Sequence, residues 1–301
     1  MSLPPPPPPS SSPSAPTVPH CYRHPDREAG RSCTRCGKPA CAQCLVQASV
    51  GSHCLDCAKA ARPDVATRVK YAQSRVMAPF TTAMIAANVI IFLLMTAADS
   101  GAAGNRVTEW HVRLGLARPL LERGFDFGTF STSPHEWYRL VTAGFIHFGV
   151  LHLAMNMWFL YQVGNMLERA IGSARLAAVY FASLLAGSFA VILINEAGVS
   201  GGASGALFGL LTCAAVGMHR RGINIMSTGI GTTLLINLVL TFTINGISIG
   251  GHVGGAIGGA ICGWVMLAPG WRPQPKWAGW AVAAAVAAVS VVGSVLIVTS
   301  A

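Results

Sequence analysis

Three clusters of polar residues stand inside apolar stretches of this chain, where a charged side chain costs about 3 kcal/mol and polar groups by default mark function. Ser204 lies in GGASGALFG, residues 201–209, which follows a loop without Lys or Arg and opens a short apolar run. A serine at a helix start faces unpaired backbone N–H groups and the positive end of the helix dipole. That environment suits the oxyanion formed when a hydroxyl attacks a carbonyl. Taken alone, a Gly/Ser-rich helix start is also a close-packing surface.

His252 opens GGHVGGAIGGAICG, with Gly255 and Gly259 three and seven residues on and therefore on its face of the helix. Without side chains there, a neighbouring helix can approach closely enough for the imidazole to reach a serine on it. Imidazole titrates near neutral pH, as a general base should, although a histidine bonded only for packing is the alternative. His152 and Asn156, in HFGVLHLAMN, are four apart and share one helical face. Both donate hydrogen bonds and can flank an oxyanion, or act as polar glue between helices. Charge topology puts the three clusters at the outer ends of three different spans. Independent packing roles would not require one common depth, whereas a nucleophile, a base and oxyanion donors would.

A second chemistry precedes the apolar runs. CYRH, CTRC, CAQC and CLDC pair Cys21 with His24, Cys33 with Cys36, Cys41 with Cys44, and Cys54 with Cys57. A two-residue gap turns both side chains of a knuckle onto one tetrahedral ion at about 2.0–2.3 Å. Seven thiols cannot all pair as disulfides, but with one His they complete two closed sites, so the segment is expected to hold two structural zinc ions. It is too short and polar to fold on apolar burial, and metal binding would supply the folding energy. His53 is read as a bystander. Closed sites leave no position for a catalytic water, so catalysis needs no cofactor.

The elements that must position these groups are membrane helices. Hydrophobic residues make up 52% of the 301 and charged ones 11%, less than half of the roughly 25% usual in soluble domains. The formal net charge of +10 does not indicate nucleic acid, because the basic residues mostly flank apolar runs. Spans are expected near 77–96, 145–167, 176–194, 203–218, 232–244, 251–267 and 277–299, the fourth and fifth being short for the roughly 20 residues a crossing takes. Arg62, Arg68, Lys70 and Arg75 precede the first span. Arg169 with Arg175, Arg220 with Arg221, and Arg272 with Lys276 mark alternate loops, while 195–202 and 245–250 carry no base. The amino end is therefore expected in the cytoplasm and the carboxyl end outside. Residues 1–20 read as a Pro/Ser-rich disordered tail, 21–60 as the metal module, 61–76 as a basic linker and 77–301 as the membrane domain. Cys213 and Cys262 read as small buried hydrophobes.

These motifs resemble the rhomboid intramembrane serine proteases. GASG at 202–205, His152 to Asn156, and His252 followed by Gly255 and Gly259 match that family's fourth, second and sixth helices. EWYR at 136–139 and the Glu168-Arg169 pair with Gly172 match two further motifs, and Phe208 stands where an aromatic, often tyrosine, follows the nucleophile. The resemblance implies an all-α six-helix bundle with a seventh helix added. It implies Ser204 as nucleophile, His252 as base in a dyad without carboxylate, and Asn156 and His152 with the Ser204 N–H as the oxyanion hole. Substrates would be single-pass membrane proteins cut near the outer end of their helix. A bacterial plasma membrane is the expected location. The cysteine pairs resemble a B-box-type cross-brace finger, which implies that the first and third pairs share one ion and the second and fourth the other. Such a module would bind a cytoplasmic protein partner. The competing function is a catalytically silent rhomboid-like scaffold that binds membrane helices; its relatives typically lack the serine or histidine, and this chain keeps both. No acidic partner for His252 is evident; Asn237 and Asn245 lie on or beside the neighbouring span, and neither is assigned the role.

Overall fold

A computed structural model of the chain describes residues 18–48, 51–61, 78–104, 106–271 and 273–300. It divides into two compact units, Met1–Arg75 and Val76–Ala301. Most of the expected tail, and the expected linker from residue 62 onward, lie outside the described residues.

The described part of the first unit contains two short antiparallel hairpins, a 3-10 turn at Ala42–Cys44 and one short α-helix. Strand β1 (Arg31–Ser32) pairs with β2 (Pro39–Ala40), and β3 (Leu45–Gln47) with β4 (Ser52–Cys54), which runs into α1 (Leu55–Ala60). Its buried cluster is Cys21, Ala40, Cys41 and Cys44, backed by Tyr22, Leu45 and Leu55. That is far less apolar surface than an independent fold of this size needs.

The second unit is a helical bundle. Helix α2 (Pro79–Ala98) starts with proline at its first turn, where a missing N–H costs nothing. A long connection carries α3 (Glu109–Leu114), α4 (Arg118–Glu122) and a small hairpin of Phe125–Asp126 with Ser131–Thr132, and ends in α5 (Arg139–Thr142). The bundle continues with α6 (Val150–Phe159), a π turn at Leu160–Gly164, α7 (Asn165–Ile171) and α8 (Ser173–Leu193). It closes with α9 (Ser204–His219), α10 (Ile230–Thr243), α11 (Ile249–Met266) and α12 (Ala278–Thr299).

By length and composition, α2, α8, α11 and α12 can each cross a membrane; Arg139–Phe145 with Val150–Ile171 passes only as a pair bent by 95°. The sequence pattern predicts one run over 145–167, and the bend divides it. Gly149, at φ +89°, breaks the helix in a region that favours glycine. Helices α9 and α10, with 16 and 14 residues, are short as expected. Large apolar side chains such as Leu94 on α2, Phe242 on α10 and Val289 on α12 are exposed, as a lipid-facing surface requires.

Two buried charges tie the bundle together. Arg139, fully buried, donates to Glu136 and to the carbonyls of Val112 and Gly115, anchoring the long connection. Glu168 of α7 accepts from the backbone N–H groups of Phe80 and Thr81, both at 2.9 Å, and caps the positive end of α2.

Candidate active site

The α9–α11 seam is where the chemistry gathers. A Cβ on Gly255 would overlap the carbonyl of Gly205, and one on Gly259 the carbonyl of Gly209. Backbone thus meets backbone, and Thr212 Oγ1 adds a hydrogen bond of 2.7 Å to the carbonyl of Ala256. At the end of this seam Ser204 Oγ lies 2.8 Å from His252 Nε2.

Ser204 is the first residue of α9. Ala203 before it provides no side-chain cap, so the first N–H groups of the helix are free of side-chain partners. Gly202, at φ +126°, donates to Ala143 O at 2.8 Å and fixes the approach. A Cβ there would lie 3.0 Å from His152 Nε2, which brings the His152 ring against the turn that presents the serine. His152 Nδ1 accepts the Phe148 N–H at 3.3 Å, so in the neutral ring the hydrogen sits on Nε2, facing Gly202. Asn156, buried one turn further on, gives an N–H to His152 O at 2.8 Å and has no partner for Oδ1.

His252 is held from three sides. Phe208 stacks on the ring with centroids 4.2 Å apart, so the aromatic at this position reaches the base without a hydroxyl. Ser248 caps α11 through the Gly251 N–H at 3.0 Å. Glu196, from the loop between α8 and α9, accepts from Ser248 Oγ at 2.6 Å and from the Ile249 N–H at 2.7 Å. Behind the ring, Nδ1 meets Thr241 Oγ1 at 2.7 Å. Asn237 instead spends its side chain on Thr233 O, and Asn245 is exposed. Sequence reasoning did not single out Thr241, Glu196 or Ser248. Ser248 carried a usable signal, a serine N-cap before an apolar run, whereas Glu196 reaches the same helix start only through the fold.

A cavity of about 40 Å³ borders Ser204, lined also by Ser200 and Ser248. One water needs roughly 10–15 Å³ of such space and several polar partners, so this cavity can hold water beside the hydroxyl.

In the first unit the expected cross-brace is present. Cys21, His24, Cys41 and Cys44 form one group, and Cys33, Cys36, Cys54 and Cys57 the other, with donor atoms within 4.8 Å of one another. His53 belongs to neither. His24 Nδ1 lies 3.8, 3.5 and 3.4 Å from the sulfurs of Cys21, Cys41 and Cys44, and the Cys36 and Cys54 sulfurs are 3.7 Å apart. These are edges of a tetrahedron whose corners stand about 2.0–2.3 Å from its centre, as around zinc. The crowded thiols compete for ionisation. Burial raises Cys21, but backbone N–H donors near Cys41, Arg23 and His24 bring it down to about 6. Burial and the neighbouring Cys21 and Cys41 push Cys44 up to about 11. A divalent cation would remove that competition by stabilising every thiolate at once.

Comparison with known proteins shows what part of the second unit resembles. The rhomboid domain family model matches residues 134–269. Rhomboid protease GluP of Bacillus subtilis is 34% identical over 177 residues, covering 58% of this chain and 32% of that protein. RHOMBOID-like protein 1 of Arabidopsis thaliana is 47% identical over 77 residues, 26% of this chain and 20% of its own length. Inactive RHOMBOID-like protein 8 from the same plant is 34% identical over 116 residues, 38% of this chain and 32% of its length. The chain spans no more than about a third of the length of these relatives, which come from both a bacterium and a plant.

Proposed function

We propose that this multi-pass membrane chain, whose residues 134–269 match the rhomboid domain model, is an intramembrane serine endopeptidase, with Ser204 as nucleophile and His252 as general base. The observation that supports this most is the 2.8 Å contact between Ser204 Oγ and His252 Nε2 inside an apolar bundle. As Ser204 attacks a peptide carbonyl, His252 takes the hydroxyl proton and then returns it to the leaving amine. The oxyanion is met by the Ser204 N–H, His152 Nε2 and Asn156 Nδ2. Water from the adjoining cavity hydrolyses the acyl-enzyme, with His252 again as base.

The proposed substrates are single-pass membrane proteins cut near the outer end of their helix. The distribution of Lys and Arg supports a cytoplasmic amino terminus and places Ser204 toward the outer face; a bacterial plasma membrane is the compartment we propose. The cysteine-rich unit holds two structural zinc ions, bound by Cys21, His24, Cys41 and Cys44 and by Cys33, Cys36, Cys54 and Cys57. On that topology it would lie in the cytoplasm and recruit a protein partner there.

The test is labelling of the purified full chain with a fluorophosphonate probe, beside Ser204→Ala and His252→Ala. Labelling of the wild type, abolished in both variants, is the expected result. A folded wild type that stays unlabelled in detergent and in bilayers would overturn the reading in favour of a scaffold that binds membrane helices without cutting them.

A further inference from the structure

Helix α10 packs lightly. Most of its side chains are exposed, and only Ile230, Gly231 and Thr241 are buried. The first two lie at its start, against the preceding turn; Gly231 abuts Met226. Thr241 is the exception near the other end, 2% exposed on an otherwise open helix. Its surroundings explain the burial, since Oγ1 lies 2.7 Å from His252 Nδ1 and 2.7 Å from the carbonyl oxygen of Asn237.

A threonine hydroxyl has one hydrogen and can accept through its lone pairs. The Asn237 carbonyl can only accept, so the contact with it is a hydrogen bond only if Thr241 donates there. Oγ1 has then spent its hydrogen and meets Nδ1 as an acceptor. Both 2.7 Å contacts are satisfied together in one arrangement: a hydrogen on Nδ1 donated to Thr241, and a bare Nε2 facing Ser204 Oγ at 2.8 Å. The opposite tautomer would leave Nδ1 without a hydrogen, facing a hydroxyl already committed to the carbonyl. It would also turn Nε2–H toward the serine, where no proton could be taken up.

We infer that Thr241 is a positioning residue that holds the His252 imidazole in its Nδ1–H tautomer, with the Asn237 carbonyl orienting the threonine hydroxyl. This rests on the proposed Ser204–His252 dyad. It fills the place behind the base that a carboxylate occupies in a three-residue arrangement, with a neutral acceptor in its stead. Phe208 fixes the plane of the ring and Thr241 its rotation within that plane. Because the acceptor comes from α10 and the base from α11, the dyad depends on the relative position of two helices as well as on the α9–α11 seam.

Three variants of the full chain test this: Thr241→Val, which keeps the branched shape and loses the hydroxyl, Thr241→Ser, which keeps the hydroxyl, and Thr241→Ala. Against a model transmembrane substrate, Val and Ala should lower kcat about tenfold with KM within about twofold, a fraction of the roughly hundredfold or more that proton transfer as a whole contributes. Ser should recover to within about threefold of wild type, a rescue that lost packing would not give. A Val variant with wild-type kcat, or a Ser variant as impaired as Val, would overturn the inference. A second readout needs no turnover. With 15N-labelled histidine in the purified full chain, the His252 signals, assigned by their loss in His252→Ala, should show hydrogen on Nδ1 in wild type and a tautomer mixture in Thr241→Val. Hydrogen on Nε2 in wild type would overturn the inference. Failed wild-type labelling with a fluorophosphonate would count against the protease reading instead, and the tautomer signal would still decide the role of Thr241.

Discussion

The two units of this chain bring reactive side chains together by opposite means. In the first, each knuckle supplies two ligands from residues three apart, such as Cys33 and Cys36, and only the joining of two knuckles is long-range. In the second, Ser204 and His252 are 48 residues apart and meet because two glycine-lined helices lie backbone to backbone. On the proposed zinc reading, the first arrangement gains its stability from ions that chelators can remove. The second gains it from packing that only a new side chain can disturb. Each unit should therefore fail under the insult that the other survives.

The largest effect should come from the seam. Gly255→Leu puts a branched side chain where even a Cβ overlaps the Gly205 carbonyl, so α9 and α11 must separate. Overpacking costs typically 1–3 kcal/mol, more where backbone is the obstacle. Fluorophosphonate labelling of Ser204 should fall by about two orders of magnitude or more, the share that general base catalysis supplies. Metal content of the first unit should stay unchanged. Labelling near the wild-type level would show that the seam does not set the dyad.

Chelation should give the mirror image. With a small core of cysteines and a few apolar neighbours, the first unit has little to hold it once its ions are gone. A strong chelator, or Cys33→Ser with Cys54→Ser, should expose the amino-terminal unit to limited proteolysis. Labelling of Ser204, and cleavage of a model substrate by a truncation beginning near Val65, should change by less than about twofold if the unit contributes no catalytic group, since closed structural sites take no part in chemistry. Two zinc ions per chain by elemental analysis, none in the chelated protein, is the accompanying expectation. Loss of intrinsic cleavage in the truncation would break the separation of the units.

These differences also decide what a reader of the sequence could see. Ligand pairs were legible because two-residue spacing is a local property, and the cross-brace followed from the B-box resemblance. Ser204, His252, His152 and Asn156 stood out in the sequence because polar groups in apolar runs are costly, and the structure brings Ser204 and His252 to 2.8 Å. The bend between Phe145 and Val150 was not legible, because hydropathy averages over a window and records no direction, whereas the short break that contains the positive-φ Gly149 separates helices bent by 95°. Arg139 was visible as part of EWYR, but its complete burial depends on the carbonyls of Val112 and Gly115, which nothing local announces. Thr241 is the clearest case. A threonine bonding the carbonyl four residues back is ordinary helical behaviour, and only the placement of α10 beside α11 turns its lone pairs toward Nδ1.

The smallest effect should come from Glu196, which ties the loop before α9 to the start of α11. This polar clasp spans 52 and 53 residues of chain and sets the start of α11, because both carboxylate oxygens are used, one by Ser248 Oγ and one by the Ile249 N–H. A negative charge at this helix end is worth about 0.3–1 kcal/mol through the dipole. His252 lies one turn beyond the clasp, so a looser start lets the imidazole drift from Ser204. Glu196→Gln keeps one acceptor and removes the charge. It should lower thermal stability slightly and reduce labelling by less than about fivefold, since 1 kcal/mol corresponds to roughly that factor. Added salt should weaken the wild type toward the variant, because a partly exposed charge at a helix end is screened. If Glu196→Gln instead matched Gly255→Leu in its loss of labelling, the clasp and not the seam would be what holds the dyad together.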